Sequence, residues 1–196
     1  MNNILKNSFY STSIIRNICK YLRIMRGCPL LNDFKFDYIM SLGNACRPAA
    51  ALRRNNLRFY SSPFDWMMNY SLSTITDFFE NGFHDFFINH IDLNMDKNNF
   101  RRIQDVKTGM ISMHSFPTDI PIEERYLQFF EIMKRRFDRL KKIIHNSQEI
   151  CFISNRDGQV KNIEKFLLDM DRLFPNKILV YINIENSVEI GISYKK

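Results

Sequence analysis

The last third of the chain alternates amphipathic helical segments with short apolar strands, and this pattern strongly constrains the fold. Residues 123–144 carry apolar side chains at spacings of three and four, and residues 160–174 repeat the pattern before Pro175. Short apolar segments typical of buried strands follow these helices, at 150–154 and 178–184. Because a crossover of a dozen or more residues joins neighbouring strands that run parallel, we predict an α/β fold with a mostly parallel central sheet flanked by helices.

The first half of the chain predicts further elements of the same domain. Residues 36–41 have the composition of a buried strand, followed by a turn at 42–44 and a helix from about 45 to 54. The remaining predictions are a short strand at 57–61, a helix at 71–87, a polar loop at 89–102, a strand at 109–114 and an edge strand at 188–193. A chain of 196 residues is long enough for one domain with a core. We therefore assign residues 36–196 to a single α/β domain.

The net charge of +7 is concentrated near the N-terminus. Five basic residues and no acidic residue precede Asp33, whereas the remainder of the chain has 23 basic and 21 acidic residues. A nearly neutral body lacks the broad basic surface that nucleic-acid binding requires. We therefore regard nucleic acid as the least favoured partner.

Residues 1–35 form a basic N-terminal helix or arm in this interpretation. Three alternatives stay open for it: a plain leading helix, a segment that contacts a membrane surface, and an organelle transit peptide within residues 1–32. A secretory signal is not convincing because no uninterrupted apolar stretch precedes a cleavage site of small residues. No run approaches the roughly 20 apolar residues that span a bilayer, so we expect no transmembrane segment.

Cysteine usage favours a reducing compartment. The four cysteines form no CxxC pair, and their spacing suits neither a zinc ribbon nor a disulfide framework; they are at positions 19, 28, 46 and 151. We therefore predict free thiols, a cytoplasmic location, and neither a metal site nor a cofactor.

Cys46 lies at a position that can make its thiol reactive, directly after a predicted strand and turn and near a helix N-terminus. The free backbone N–H groups of a first helical turn stabilise an anion, and they can therefore favour a nucleophilic thiolate. The same groups, near Gly43 and Asn44, could hold an oxyanion during acyl transfer. Cysteine also commonly serves as a small buried apolar residue, and that alternative stays open.

A nucleophilic cysteine needs a general base, and His114 is the best candidate. It is predicted to end a strand just before a loop that contains Pro117, and sites in α/β proteins are assembled at strand ends. A lone histidine is also commonly a surface residue or a satisfied core residue. The pairing of Cys46 with His114 is therefore a hypothesis that depends on the fold.

A group of short motifs carries a resemblance to one family. The chain resembles the papain-like cysteine peptidase domain of unknown function that is found in bacteria and some large viruses, over about residues 36–184. The motifs are Ser41-Leu42-Gly43-Asn44-Ala45-Cys46-Arg47-Pro48-Ala49, Leu52-Arg53-Arg54, Leu57-Arg58, Ser62-Pro63-Phe64-Asp65-Trp66, the positions Asp105, Gly109, His114 and Phe116, and the helix Arg135-Arg136-Phe137-Asp138-Arg139-Leu140.

This resemblance implies a cysteine site with Cys46 as nucleophile and His114 as base. A papain-like order also implies a later residue that orients the imidazole, and Asn155 or Asp157 fits that order. Asp65 and Asp105 compete for this role, although Asp65 could instead anchor the turn before Trp66. The substrate implied is an unidentified peptide.

Two positions differ from the patterns expected of such an enzyme. Ser115 follows the histidine where the family usually has an aspartate. Met40 stands six residues before the cysteine, where papain-type enzymes have the glutamine of the oxyanion hole.

A second hypothesis belongs to a different functional class. Arg47, Arg58 and Arg136 could bind an anionic small molecule, because a guanidinium binds carboxylate or phosphate through two parallel hydrogen bonds. In that case the chain would be a noncatalytic or sugar-modifying α/β domain.

Overall fold

The computed structural model describes residues 36–44, 46–95, 98–156, 159–183 and 188–192. The predicted N-terminal arm lies outside these residues. The described chain forms four helices and two four-stranded sheets. The helices are α1 (Arg47–Arg54), α2 (Leu72–Asn81), α3 (Ile122–Asn146) and α4 (Val160–Leu173); the strands are β1 (Tyr38–Ser41), β2 (Met67–Met68), β3 (His90–Asp92), β4 (Phe100–Asp105), β5 (Ile111–Pro117), β6 (Glu149–Ser154), β7 (Ile178–Asn183) and β8 (Val188–Ile192).

The first sheet confirms the α/β prediction. Its strand order is β1-β6-β7-β8, in which β1, β6 and β7 are parallel and β8 adds an antiparallel edge. Ser41 pairs with Ile153 and Ser154 pairs with Asn183, so these three strands end together. The loops that follow β1 and β6 therefore meet at the carboxyl edge of the sheet, which is where ligand sites form in such folds.

The second sheet is antiparallel, with the order β2-β5-β4-β3, and the sequence did not predict it. The predicted loop at 89–102 is wrong because β3 and the start of β4 lie within it. The predicted strand at 57–61 is also wrong, and the short strand β2 forms after it. A sheet whose strands are only half-buried tolerates polar residues, and this masked the alternation that marks a strand.

A β-bulge interrupts the pairing of β4 with β5. Arg101 pairs with Phe116 and Ile103 pairs with Ser112, so three residues of β5 lie opposite Arg102 alone. His114 is the middle residue of these three. A bulge of this kind bends the strand and redirects a side chain, and here His114 is exposed between the buried Ser112 and Phe116.

Helix α3 agrees closely with its prediction, whereas α2 is shorter than predicted. Helix α2 ends at Asn81 because Gly82 at its C-cap has a φ of 88°, which leaves the helical region. The phenylalanines beyond it pack in turns against α3: the rings of Phe83 and Phe137 stack with centroids 4.6 Å apart, and those of Phe86 and Phe129 stack 5.8 Å apart. This aromatic cluster fixes α3 beside β5 and the bulge.

Among the helices of the described ranges, none combines the length and apolar character needed to cross a membrane.

Candidate active site

The turn before Cys46 depends on a close approach that only glycine allows. A Cβ on Gly43 would lie 2.1 Å from Cγ of Pro48 and 2.6 Å from Oδ1 of Asn155. Both distances are too short for any side chain. The Gly43 carbonyl also accepts a hydrogen bond of 3.0 Å from the Tyr70 hydroxyl. The chain therefore turns tightly from β1 into α1. Cys46 is the N-cap residue of that helix, which confirms the prediction that it lies near a helix N-terminus.

The structure brings Cys46 and His114 together across 68 residues of sequence. The Sγ atom of Cys46 lies 3.5 Å from Nε2 of His114. Cys46 is half-buried and His114 is exposed, so solvent and ligands reach both. A sulfur–nitrogen contact at this distance permits direct proton transfer between the thiol and the imidazole.

Two aromatic rings hold the imidazole of His114. The Trp66 ring meets it edge to face with centroids 6.1 Å apart, and the Phe100 ring does the same at 5.9 Å. No hydrogen bond joins Nδ1 of His114 to any residue in the described ranges, so ring packing fixes the imidazole there. The sequence signals neither role, because Trp66 stands out only as part of a motif and Phe100 lies in the segment predicted to be a loop.

Asn155 lies at the site but contacts the cysteine turn instead of the imidazole. Its Oδ1 accepts a hydrogen bond of 2.9 Å from the Asn44 backbone N–H. Oδ1 of Asn44 in turn accepts a hydrogen bond of 3.0 Å from the Asn69 backbone N–H. Asp157, the other residue predicted for this role, lies outside the described residues.

Asp65 is buried and anchors the turn that carries Trp66. Its carboxylate accepts hydrogen bonds from the Ser41 hydroxyl, the Ser62 backbone N–H at 3.0 Å, and Nε of Arg58 at 2.9 Å. These contacts support the anchoring alternative for Asp65. They also connect the end of β1 to the turn that places the Trp66 ring against His114.

Asp105 lies away from the histidine. At the far end of β4 it accepts hydrogen bonds from the backbone N–H and the hydroxyl of Thr108. Its backbone N–H donates to the Met110 carbonyl. Asp105 therefore shapes the β4–β5 turn, and it lies nine residues before His114 along the chain.

The donors expected for an oxyanion are partly engaged elsewhere. The Asn44 N–H bonds to Asn155, and Met40 points into the core with 1% of its surface exposed. The Cys46 backbone N–H, at the N-terminus of α1, forms no hydrogen bond with any residue that the structure describes. It is therefore a free donor in the same residue as Sγ, and a backbone N–H of this kind can stabilise the oxyanion of an acyl group under attack.

Of the three arginines of the anion-binding hypothesis, the structure brings two together. Arg47 is exposed in the first turn of α1, and Arg58 forms an ion pair of 2.5 Å with Asp65. Arg136 projects from α3 into a cavity of about 480 Å³ that Arg58 and His114 also line. Arg58 and Arg136 thus belong to one cavity beside the imidazole.

No group of three or more His, Cys, Asp or Glu side chains within the described ranges is arranged to hold a metal ion.

A comparison with known protein families shows which family the chain belongs to. A family profile described as "Putative papain-like cysteine peptidase", a domain of unknown function, matches residues 37–173. This chain belongs to that family. The matched region runs from β1 to the end of α4, so it includes Cys46, His114 and the elements that position them.

The chain is also similar to an uncharacterised protein of Acanthamoeba polyphaga mimivirus. It is 28% identical over 140 residues, which cover 62% of this chain and 61% of the viral protein. The match thus spans about three fifths of that relative. No solved structure matches the chain.

Proposed function

We propose that this member of the family is a cysteine-dependent hydrolase or acyltransferase of the papain-like type, acting on a peptide or another acyl compound. Cys46 is the nucleophile and His114 is the general base. The observation that carries this proposal is the 3.5 Å contact between Sγ and Nε2, formed by an accessible thiol at a helix N-terminus.

The reaction follows from that contact. The Sγ proton moves to Nε2 of His114, and the thiolate attacks the acyl carbon to form a tetrahedral oxyanion, which the Cys46 backbone N–H stabilises. As the oxyanion collapses, the bond to the leaving group breaks and His114 returns the proton to that group. This leaves a thioester on Cys46. His114 then takes a proton from water or another acceptor, which attacks the thioester carbon. The bond from carbon to Sγ breaks, the acyl group leaves on the acceptor, and the proton passes from His114 to Sγ to restore the thiol.

The surroundings of His114 suit a dyad. Trp66 and Phe100 restrict rotation of the imidazole by packing, which a carboxamide would otherwise do by hydrogen bonding. Nδ1 remains available to solvent or substrate. We therefore assign Asn155 to the positioning of the cysteine turn and keep the catalytic roles for Cys46 and His114.

Trapping of the acyl-enzyme tests the proposal. The full chain is mixed with p-nitrophenyl acetate, and intact and peptide masses are followed with time. We expect rapid acetylation of Cys46, a loss of p-nitrophenol release in Cys46→Ser, and a fall of at least tenfold in His114→Ala. Cys151→Ser is the matched control and should behave as wild type, because Cys151 is buried in β6. Equal rates in wild type and Cys46→Ser would overturn the proposal.

A noncatalytic anion-binding domain is the second candidate, and the arginine-lined cavity is the observation in its favour. It predicts ligand binding without any acyl transfer in the wild-type protein. The same trapping experiment separates the two, because only the enzyme forms a thioester on Cys46.

A further inference from the structure

A cavity beside the imidazole carries an unusual concentration of arginines. It has a volume of about 480 Å³, and its lining includes Trp66 and His114, the residue whose Nε2 contacts the cysteine. This volume suits a small-molecule ligand or part of one. The charged residues of the lining are four arginines and one acidic residue: Arg53, Arg58, Arg125, Arg136 and Asp65. The lining therefore carries three more positive than negative charges.

Arg136 is the least compensated of these cations. It is half-buried on α3, and no carboxylate of the described residues lies within ion-pairing distance of it. Its Nη1 makes a weak contact of 3.8 Å with the Met133 sulfur. Burial lowers the pKa of its guanidinium, and the charge of Arg58 acts in the same direction, although Asp65 opposes both. A partly desolvated, unpaired guanidinium is costly unless an anion compensates it.

Arg125 connects the cavity to the base. Its Nε donates a hydrogen bond of 2.7 Å to the carbonyl of Ser115, the neighbour of His114, and its Nη1 donates to Gln128. Nη2 of Arg125 donates to no residue in the described ranges. An anion held by this atom would therefore be positioned relative to the β5 bulge that carries His114.

The Trp66 ring contacts two of these arginines and also His114. The guanidinium carbons of Arg53 and Arg58 lie 5.8 and 5.7 Å from its ring centroid, and His114 meets the same ring edge to face. The apolar side chains of Phe129, Ile132 and Met133 complete the cavity. The lining thus combines cationic groups with an apolar wall for an organic part.

We propose that this cavity binds the phosphate group of a small organic substrate, whose acyl carbon then lies at Cys46. The inference rests on the proposed function for the acyl step, but the binding of the phosphate does not depend on it. Charge favours phosphate, because a phosphate monoester at neutral pH is close to a dianion and compensates more of the excess charge than a carboxylate does. Guanidinium groups also match phosphate oxygens in paired hydrogen bonds.

Thermal unfolding of the full chain tests the binding. The probes are phenyl phosphate, inorganic phosphate, benzoate and benzyl alcohol, at constant ionic strength. We expect phenyl phosphate to raise the melting temperature most, inorganic phosphate and benzoate to raise it less, and benzyl alcohol to leave it unchanged. Arg136→Gln should weaken the apparent affinity for phenyl phosphate at least tenfold, and Arg136→Lys should have an intermediate effect.

Two matched variants make the result specific. Arg135→Gln removes an exposed charge from the same helix and should change the affinity less than twofold. Cys46→Ser should bind phenyl phosphate as wild type does, so failure of the acyl step and failure of phosphate binding are distinguished. Equal binding of benzoate and phenyl phosphate, an unchanged affinity in Arg136→Gln, or no stabilisation by phenyl phosphate would each overturn the inference.

Discussion

The side-chain oxygen of Asn155 accepts a hydrogen bond of 2.9 Å from the backbone N–H of Asn44. This bond joins the loops that follow β1 and β6 at the carboxyl edge of the parallel sheet. The side-chain oxygen of Asn44 in turn accepts a hydrogen bond of 3.0 Å from the backbone N–H of Asn69. Asn69 directly follows β2, so this bond connects the turn to the second sheet. The position of the Cys46 turn is thus set by contacts from two separate loops.

Asn155→Ala tests whether this residue positions the cysteine or orients the histidine. We expect a loss of about 1 kcal/mol in the free energy of unfolding and slower alkylation of Cys46. The midpoint of the pH profile of alkylation should not move, because Asn155 does not contact the imidazole. Asn162→Ala, at an exposed position of α4, is the control. A shifted midpoint in Asn155→Ala would assign the orienting role to it.

Gly43→Ala should distort the cysteine turn. Its Cβ would lie 2.1 Å from the Pro48 ring, so we expect a loss of about 2–3 kcal/mol in urea unfolding and a marked fall in Cys46 alkylation. Gly109→Ala is a comparison of a different kind, because Gly109 has a φ of 72° but a Cβ there would make only ordinary van der Waals contacts, at 3.7 Å or more. That change should cost about 1 kcal/mol and affect Cys46 far less. Equal effects of the two changes on alkylation would contradict the steric argument.

Asp65→Asn should be strongly destabilising. The substitution leaves the guanidinium of Arg58 without its carboxylate at a site where Asp65 is 2% exposed, so we expect a loss of about 3 kcal/mol. Asp138→Asn removes the exposed partner of Lys134 and should change stability by less than about 0.5 kcal/mol. Urea unfolding at neutral pH measures both, and similar small losses would argue against a structural role for Asp65.

Tyr70→Phe should have an effect that depends on pH. Burial is the main cause that raises the pKa of Tyr70 to about 12, so its hydroxyl stays protonated at neutral pH and donates to Gly43. We expect the variant to be less stable by about 1 kcal/mol at pH 8.

The difference should shrink in alkali. Tyr70 loses its proton at a lower pH in the unfolded chain, near its usual value of about 10, than in the folded protein. Wild type therefore loses stability between about pH 10 and 12, and the variant lacks this contribution. Urea unfolding in reducing buffer at pH 8 and at pH 10 to 11 measures the change; a constant difference would contradict the burial argument.

Periodicity made the parallel sheet and α3 predictable. Ile150, Cys151 and Phe152 form an apolar run typical of a strand buried on both faces, and the apolar face of α3 repeats with helical spacing. Strand β4 gave no such signal, because Arg101, Arg102 and Gln104 occupy a sheet that is only partly buried. The antiparallel sheet is therefore specified by tertiary contacts more than by local pattern.

The candidate site likewise has one part that local sequence features predict and one part that they do not. Cys46 could be found because the strand, the turn and the helix start around it are local features. The geometry around His114 could not, because a two-residue register shift between β4 and β5 determines where its side chain points. The contacts of Trp66 and Arg125 with its surroundings join segments distant in sequence, and no local pattern encodes them.

The pH dependence of Cys46 alkylation tests the Cys46–His114 pair most directly. Iodoacetamide labelling of each cysteine is followed by peptide mass spectrometry on native wild type and His114→Ala. The pair predicts fast labelling of Cys46 near pH 6, its loss in His114→Ala, and protection of the buried Cys151 until the protein unfolds. Labelling of Cys46 only above about pH 8, identical in wild type and His114→Ala, is the behaviour of an ordinary thiol and would contradict the account.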